Sequence, residues 1–225
     1  MVQETFRLGA RGYVHKPLAP SDPLPAIQAV LRGKRFVSSG LKFRVSADAQ
    51  HRHEVQFYSD DSVFLKSSTR FIADALTTAD AAIVLATNSH REGLVRRLKA
   101  DGFDIDGAIQ QGTCISLDAV DTLSTIMVNG LPDPVRFSTG LGVLIESAAK
   151  ASETEHPRIA IFGECVGVLF AEGNPNAAIS LEKIGNDLVK THGVDILCAY
   201  PLPHGQEDDH ALKSICAEHT AVYWQ

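Results

Sequence analysis

From residue 54 onward the apolar positions switch between two spacings, every second residue and then every third or fourth. Glu54-Val55-Gln56-Phe57-Tyr58 alternates as a strand does, and Val63 to Leu76 then places Phe64, Leu65, Phe71, Ile72 and Leu76 at helical intervals. Ala81 to Thr87 reads as a buried strand, followed by a helix over Arg91 to Ala100 that Asp101-Gly102 stops. Thr113 to Leu117 forms a third strand, with Asp118 placed to cap a helix starting at Ala119. Leu131-Pro132-Asp133-Pro134 breaks the chain before a long helix to Lys150. Arg158 to Phe162 is the fourth strand and a helix follows to Glu172. After Gly173-Asn174-Pro175 come a helix over Ala177 to Lys190, a fifth strand over Val194 to Tyr200 and a helix over about Asp208 to His219.

Strands apolar on both faces, each followed by a helix, predict an α/β fold: a mainly parallel, doubly wound sheet with helices on both sides. In such sheets ligands bind beyond the carboxyl ends of the strands. Those ends carry Tyr58-Ser59-Asp60-Asp61, Thr87-Asn88-Ser89-His90-Arg91, Asp118, Gly163-Glu164 and Tyr200-Pro201. Taken singly, Asp60, Ser89 and Asp118 stand where a helix start wants an oxygen, so capping accounts for them. Taken together, the polar set predicts a pocket. Glu164 fits a general base, a metal ligand or a ligand acceptor, and equally a buried partner for Arg136 or Arg158.

Composition narrows the chemistry. The 21 Lys+Arg against 27 Asp+Glu give a formal charge of -6, with basic residues scattered, which argues against direct nucleic-acid binding. No apolar run reaches the roughly 20 residues of a membrane span, and no apolar leader opens the sequence, so a cytoplasmic location is expected. Cys114, Cys165, Cys198 and Cys216 form no close pair, and Cys165 and Cys198 read as small hydrophobes. His51-x-His53 places two rings on one strand face, but spacing supplies no third ligand, so neither a metal nor another cofactor is expected. The first strand-to-helix turn has two carboxylates and no glycine, and no G-x-x-x-x-G-K-[ST] occurs, which argues against ATP hydrolysis through a phosphate loop. Glu182 and Asn186 share one helical face, where packing and hydrogen bonding to a loop suffice to explain them.

Two resemblances add to this reading. Gly9-Ala10-Arg11-Gly12-Tyr13-Val14-His15-Lys16-Pro17, the run Leu24 to Leu31 and Gly33-Lys34-Arg35-Phe36-Val37-Ser38-Ser39 resemble the last strand and helix of a response-regulator receiver. Lys16 matches the lysine that pairs with a bound phosphoryl group, although nothing before it in the sequence can carry one. Residues 1–40 are therefore expected to be a receiver fragment without a phosphoacceptor, joined through a linker at 41–50.

Residues 51–225 resemble a MEDS sensory domain, named for methanogens, methylotrophs and a dichloromethane-pathway regulator. The resemblance rests on His53-x-x-x-Phe57-Tyr58-x-Asp60-Asp61, Ala86-Thr87 with His90-Arg91, Leu98-x-x-x-Gly102, Leu117-Asp118-Ala119, Phe162-Gly163-Glu164, Leu181-Glu182 with Asn186, Cys198-Ala199-Tyr200-Pro201 and Ile215-Cys216-x-x-His219. It departs where Cys165 replaces a methionine and Gly185 a tryptophan, which implies a wider or less aromatic pocket. The resemblance implies a RecA-like core without its phosphate loop and a role in signal transduction. It makes His53, Tyr58, Asp60, Asp61, Thr87, His90, Arg91, Asp118, Glu164, Glu182 and Asn186 the candidate site for an unidentified small molecule. Expected partners are that ligand and a signalling protein such as a kinase or regulator, with a homodimer possible. A degenerate nucleotide- or metal-dependent enzyme and a pure interaction module are the competing readings.

Overall fold

A computed structural model describes the strand dipeptides Gly12–Tyr13 and Phe36–Val37 and residues 51–77, 80–201 and 210–224. The chain divides into a unit of residues 1–50 and a unit of residues 51–225. In the first, Gly12–Tyr13 and Phe36–Val37 pair as parallel strands. Lys16, the predicted helix from Leu24 to Leu31 and the linker at 41–50 lie outside the described residues.

The second unit is an α/β fold around a six-stranded, wholly parallel sheet. Its strands are β1 (His53–Tyr58), β2 (Ala81–Ala86), β3 (Cys114–Asp118), β4 (Ile159–Gly163), β5 (Asp195–Pro201) and β6 (Ala221–Trp224), in the order β6-β1-β5-β4-β2-β3. The helices are α1 (Asp61–Thr77), α2 (Asn88–Ala100), α3 (Ile105–Gln111), α4 (Ala119–Ile126), α5 (Pro134–Ala151), α6 (Cys165–Ala171), α7 (Pro175–His192) and α8 (His210–Ala217).

Period-two alternation divides each inner strand between two apolar layers. Ala82, Val84 and Ala86 of β2 join Tyr58, Phe162 and Leu197 against Phe64, Ile72, Leu94 and Leu98 of α1 and α2. Ala81, Ile83 and Leu85 face the other way, with Val55, Phe57 and Ile161, onto Leu123, Phe137, Leu141, Leu181, Leu188, Leu212 and Ile215. Burial on both faces is why these strands read as continuous apolar runs.

The differences from the sequence reading are local. Thr87 ends no strand; it stands just before α2, which begins at Asn88, and its side chain makes no capping bond, so Ser89 and His90 lie in the first turn. Leu131-Pro132 is the second arm of a two-residue hairpin with Met127–Val128. Asn129 and Gly130, with φ of 52° and 79°, turn it, as an Asn-Gly pair with two positive φ angles does. The helix α3 and the edge strand β6 are additional elements. No helix of the described residues is long and apolar enough to cross a membrane.

Candidate functional site

Because every strand of the sheet runs the same way, the strand-end residues share one edge. Gly163 closes β4, and the next residue, Glu164, starts the turn into α6 with its N–H donating to the Leu85 carbonyl at 2.8 Å. That bond turns the Glu164 side chain into the fold, where it is 3% exposed. Its Oε2 accepts the Thr87 N–H at 2.7 Å and the Thr87 hydroxyl at 3.3 Å, and its Oε1 lies 2.5 Å from His90 Nδ1. Thr87 immediately precedes α2 and His90 lies in its first turn, so the carboxylate sits where free N–H groups and the helix dipole favour an anion.

The ring of His90 packs on Phe64 at 4.4 Å and meets Tyr58 edge-on at 6.1 Å. Its Nε2 faces Asp61 Oδ1 at 3.8 Å, which makes a line from exposed Asp61 through His90 to buried Glu164. Burial by itself lowers the His90 pKa, but the hydrogen bond and charge of Glu164, aided by Asp61, leave it above its ordinary value. Burial and then the charges of Glu164 and Asp61 raise the Tyr58 phenol. The arrangement can hold a proton at His90 and offer Asp61 and the imidazole to a polar molecule.

Other predicted residues go elsewhere. Asp60 caps α1 by accepting from Ser62 N, Ser62 Oγ and Val63 N, bonds that lower its pKa, the Ser62 side chain first. Asp118 caps α4 through Val120 N and Asp121 N. Arg91 is held along β3 by Ser116 Oγ at 3.1 Å and the Ser116 carbonyl at 3.4 Å. Neither arginine predicted to neutralise Glu164 does so. Arg158 pairs with Asp195, and Arg136 reaches the Thr125 carbonyl at 3.5 Å. A groove of about 570 Å³ lies elsewhere, at the amino half of the sheet, lined by Arg52, Glu54, Gln56, Arg158 and Asp195 among others.

His53, Glu182 and Asn186 assemble away from Glu164, in a second polar cluster inside the apolar layer of α7 and α8. Glu182, 1% exposed, accepts the Tyr200 hydroxyl on Oε1 at 2.6 Å. Its Oε2 gathers Cys198 Sγ at 3.2 Å, His53 Nε2 at 3.1 Å and His219 Nε2 at 3.1 Å. Burial opposes the Glu182 charge, yet His219 and His53 hold its pKa far below the usual carboxylate range. Burial lowers the His53 pKa too, but Glu182 and then Asn186 leave it raised. Burial and the Glu182 charge raise the Cys198 thiol and Tyr200 phenol well above their ordinary values.

Two readings from sequence change here. Cys198 is no mere hydrophobe, and the Cys165 thiol, pushed up to about 12 by burial, also lies 3.7 Å from the Ala119 carbonyl. His51 and His53 share no strand face, since β1 begins at His53 and His51 Nδ1 lies 3.9 Å from Asp195. Gly185 stands against the His53 ring, where a Cβ would come within 3.2 Å, and lines a small, mostly apolar cavity with Phe137, Leu141 and Leu181. His219 stood only in a motif phrase and at a helix end, without an assigned role.

A search of curated proteins finds no match for the chain. The family model described as MEDS, the MEthanogen/methylotroph, DcmR Sensory domain, matches residues 52–220, a span that begins just before β1 and contains both polar clusters. By that match over most of its length the chain belongs to the MEDS family of sensory domains.

Proposed function

We propose that residues 51–225 are the input module of a signalling pathway and recognise a small molecule at the carboxyl edge of the sheet. The observation that carries this is the buried Glu164 carboxylate, held by Thr87 and His90 beside Tyr58, with Asp61 on the open side. Asp60, Asp61 and Glu164 make the edge acidic, which favours a neutral or cationic polar ligand and disfavours a phosphate. The glycine-free turn at 58–61 between β1 and α1 fits a RecA-like layout that has lost nucleotide chemistry. Within this reading residues 1–40 are a receiver-derived fragment, 41–50 a linker, and the output passes over surface helices to a kinase or regulator.

Thermal-shift screening of the full chain against small amines, alcohols, organic acids and nucleotides tests the reading. Stabilisation by one polar class that Glu164→Gln abolishes supports it. Stabilisation by nucleoside triphosphates, or by ligands indifferent to Glu164→Gln, refutes it.

A further inference from the structure

We infer that His53, Glu182, Cys198 and His219 form a four-coordinate site for a zinc-like divalent metal, independent of the carboxyl-edge site. The four donor atoms lie within 4.8 Å of one another. They come from the start of β1, the middle of α7, the centre of β5 and the turn before β6.

The proton positions around the two rings make the case. His53 Nδ1 lies 2.9 Å from Asn186 Oδ1, and the Asn186 amide is oriented by donating its Nδ2 to Glu218 Oε2 at 2.9 Å. His219 Nδ1 lies 2.7 Å from the Ile215 carbonyl. Both partners are acceptors, so each Nδ1 carries a proton and each neutral ring turns a lone pair on Nε2 inward. Both lone pairs then meet Glu182 Oε2, itself an acceptor. His219 Nε2 is also a buried polar atom without a hydrogen bond, although it lies 3.1 Å from Glu182 Oε2.

Protonating one ring balances Glu182 but leaves the other Nε2 lone pair against the carboxylate, and protonating both leaves two imidazolium groups, one carboxylate and a neutral thiol, a net positive charge inside an apolar layer. A divalent cation among two neutral imidazoles, one carboxylate and one thiolate sums to zero. The outer contacts match what metal-bound histidines show, each remaining N–H donated to a carbonyl oxygen. Ligand bonds of about 2.0–2.3 Å separate tetrahedral donors by roughly 3.3–3.8 Å. The Cys198 Sγ to His53 Nε2 distance of 3.4 Å lies in that range, and the contacts to Oε2 are a few tenths shorter. Imidazole with thiolate selects zinc over magnesium or calcium.

The test is cobalt titration of the full chain after stripping with a chelator. About one equivalent is expected to bind, with a thiolate-to-cobalt charge-transfer band and the intense visible bands of four-coordinate cobalt. Cys198→Ser should abolish the charge-transfer band, and His219→Gln should weaken binding by at least roughly tenfold, the scale on which even outer-shell partners act. Should either variant not fold, the wild-type chain still decides: zinc, but not magnesium, must raise its melting temperature. Absence of the thiolate band in the wild-type chain, its survival in Cys198→Ser, or equal stabilisation by magnesium overturns the inference. Glu164→Gln must leave the cobalt spectrum unchanged, so failure of the carboxyl-edge reading is distinguishable.

Discussion

Replacing Gly167 by alanine probes how tightly the turn bearing Glu164 is pinned to the sheet. Gly167 lies in α6, and a Cβ built on it falls 2.3 Å from the Ala199 carbonyl oxygen of β5 and 3.1 Å from Pro201 Cδ. A carbon normally stands about 3.3 Å or more from such an oxygen, so α6 and β5 must part by roughly 1 Å. Overpacking against backbone costs at the upper end of its usual range, about 3 kcal/mol, and helix propensity offsets about 1 kcal/mol. The net loss is about 2 kcal/mol, or roughly 4–8 °C in melting temperature for a unit of this size. Gly140→Ala is the control, because it too is helical and its Cβ meets nothing within 4 Å. It should stabilise by about 0.5–1 kcal/mol. Urea denaturation followed by circular dichroism measures both, with the slope expected to stay constant. If Gly167→Ala lay within about 0.5 kcal/mol of Gly140→Ala, the close approach of α6 to β5 would be refuted.

Four further outcomes are expected. His90 has a raised pKa, so its stabilisation is complete below the ordinary value of 6.5 and is lost as pH rises through the folded value. The urea midpoint should therefore fall on going alkaline from there, and fall less in His90→Asn. Glu164→Gln keeps the shape but loses the anion, and should cost about 1–3 kcal/mol by the same assay while abolishing any ligand-induced thermal shift. Asp118→Ala should cost about 1 kcal/mol, the worth of a helix cap, and leave ligand response intact, which thermal shifts with and without ligand will show. Trp224 stacks on Phe57 at 4.5 Å and is the chain's single tryptophan. Trp224→Phe should keep about the wild-type melting temperature, whereas Trp224→Ala should lose about 1 kcal/mol, the typical worth of such a ring pair.

The sheet was legible where both strand faces are buried, since Ala82, Val84 and Ala86 and their neighbours Ala81, Ile83 and Leu85 are all apolar. β6 was not, because Ala221–Trp224 is short, partly exposed and held by tertiary contacts to β1. The hairpin did carry a local signal, Asn129-Gly130, overshadowed by the prolines that follow. Tyr58, Asp61, Thr87, His90 and Glu164 could be found in the sequence because strand ends are themselves sequence features. The partnership of Glu182 could not, since His53 and Cys198 lie 145 residues apart and only sheet register joins them. Spacing instead suggested His51 with His53, a pair that the start of β1 divides.

The pairing of β6 with β1 also bears on how the chain is made. The His53 carbonyl is bonded by Thr220, 167 positions later, through its N–H at 2.6 Å and its hydroxyl at 2.8 Å. On the ribosome the first strand therefore keeps an open edge until nearly the last turn of this unit has been synthesised. An unpaired edge is a template for joining another chain. Nascent chains stalled before residue 220 should thus associate with one another, while those carried past residue 224 close that edge within their own sheet.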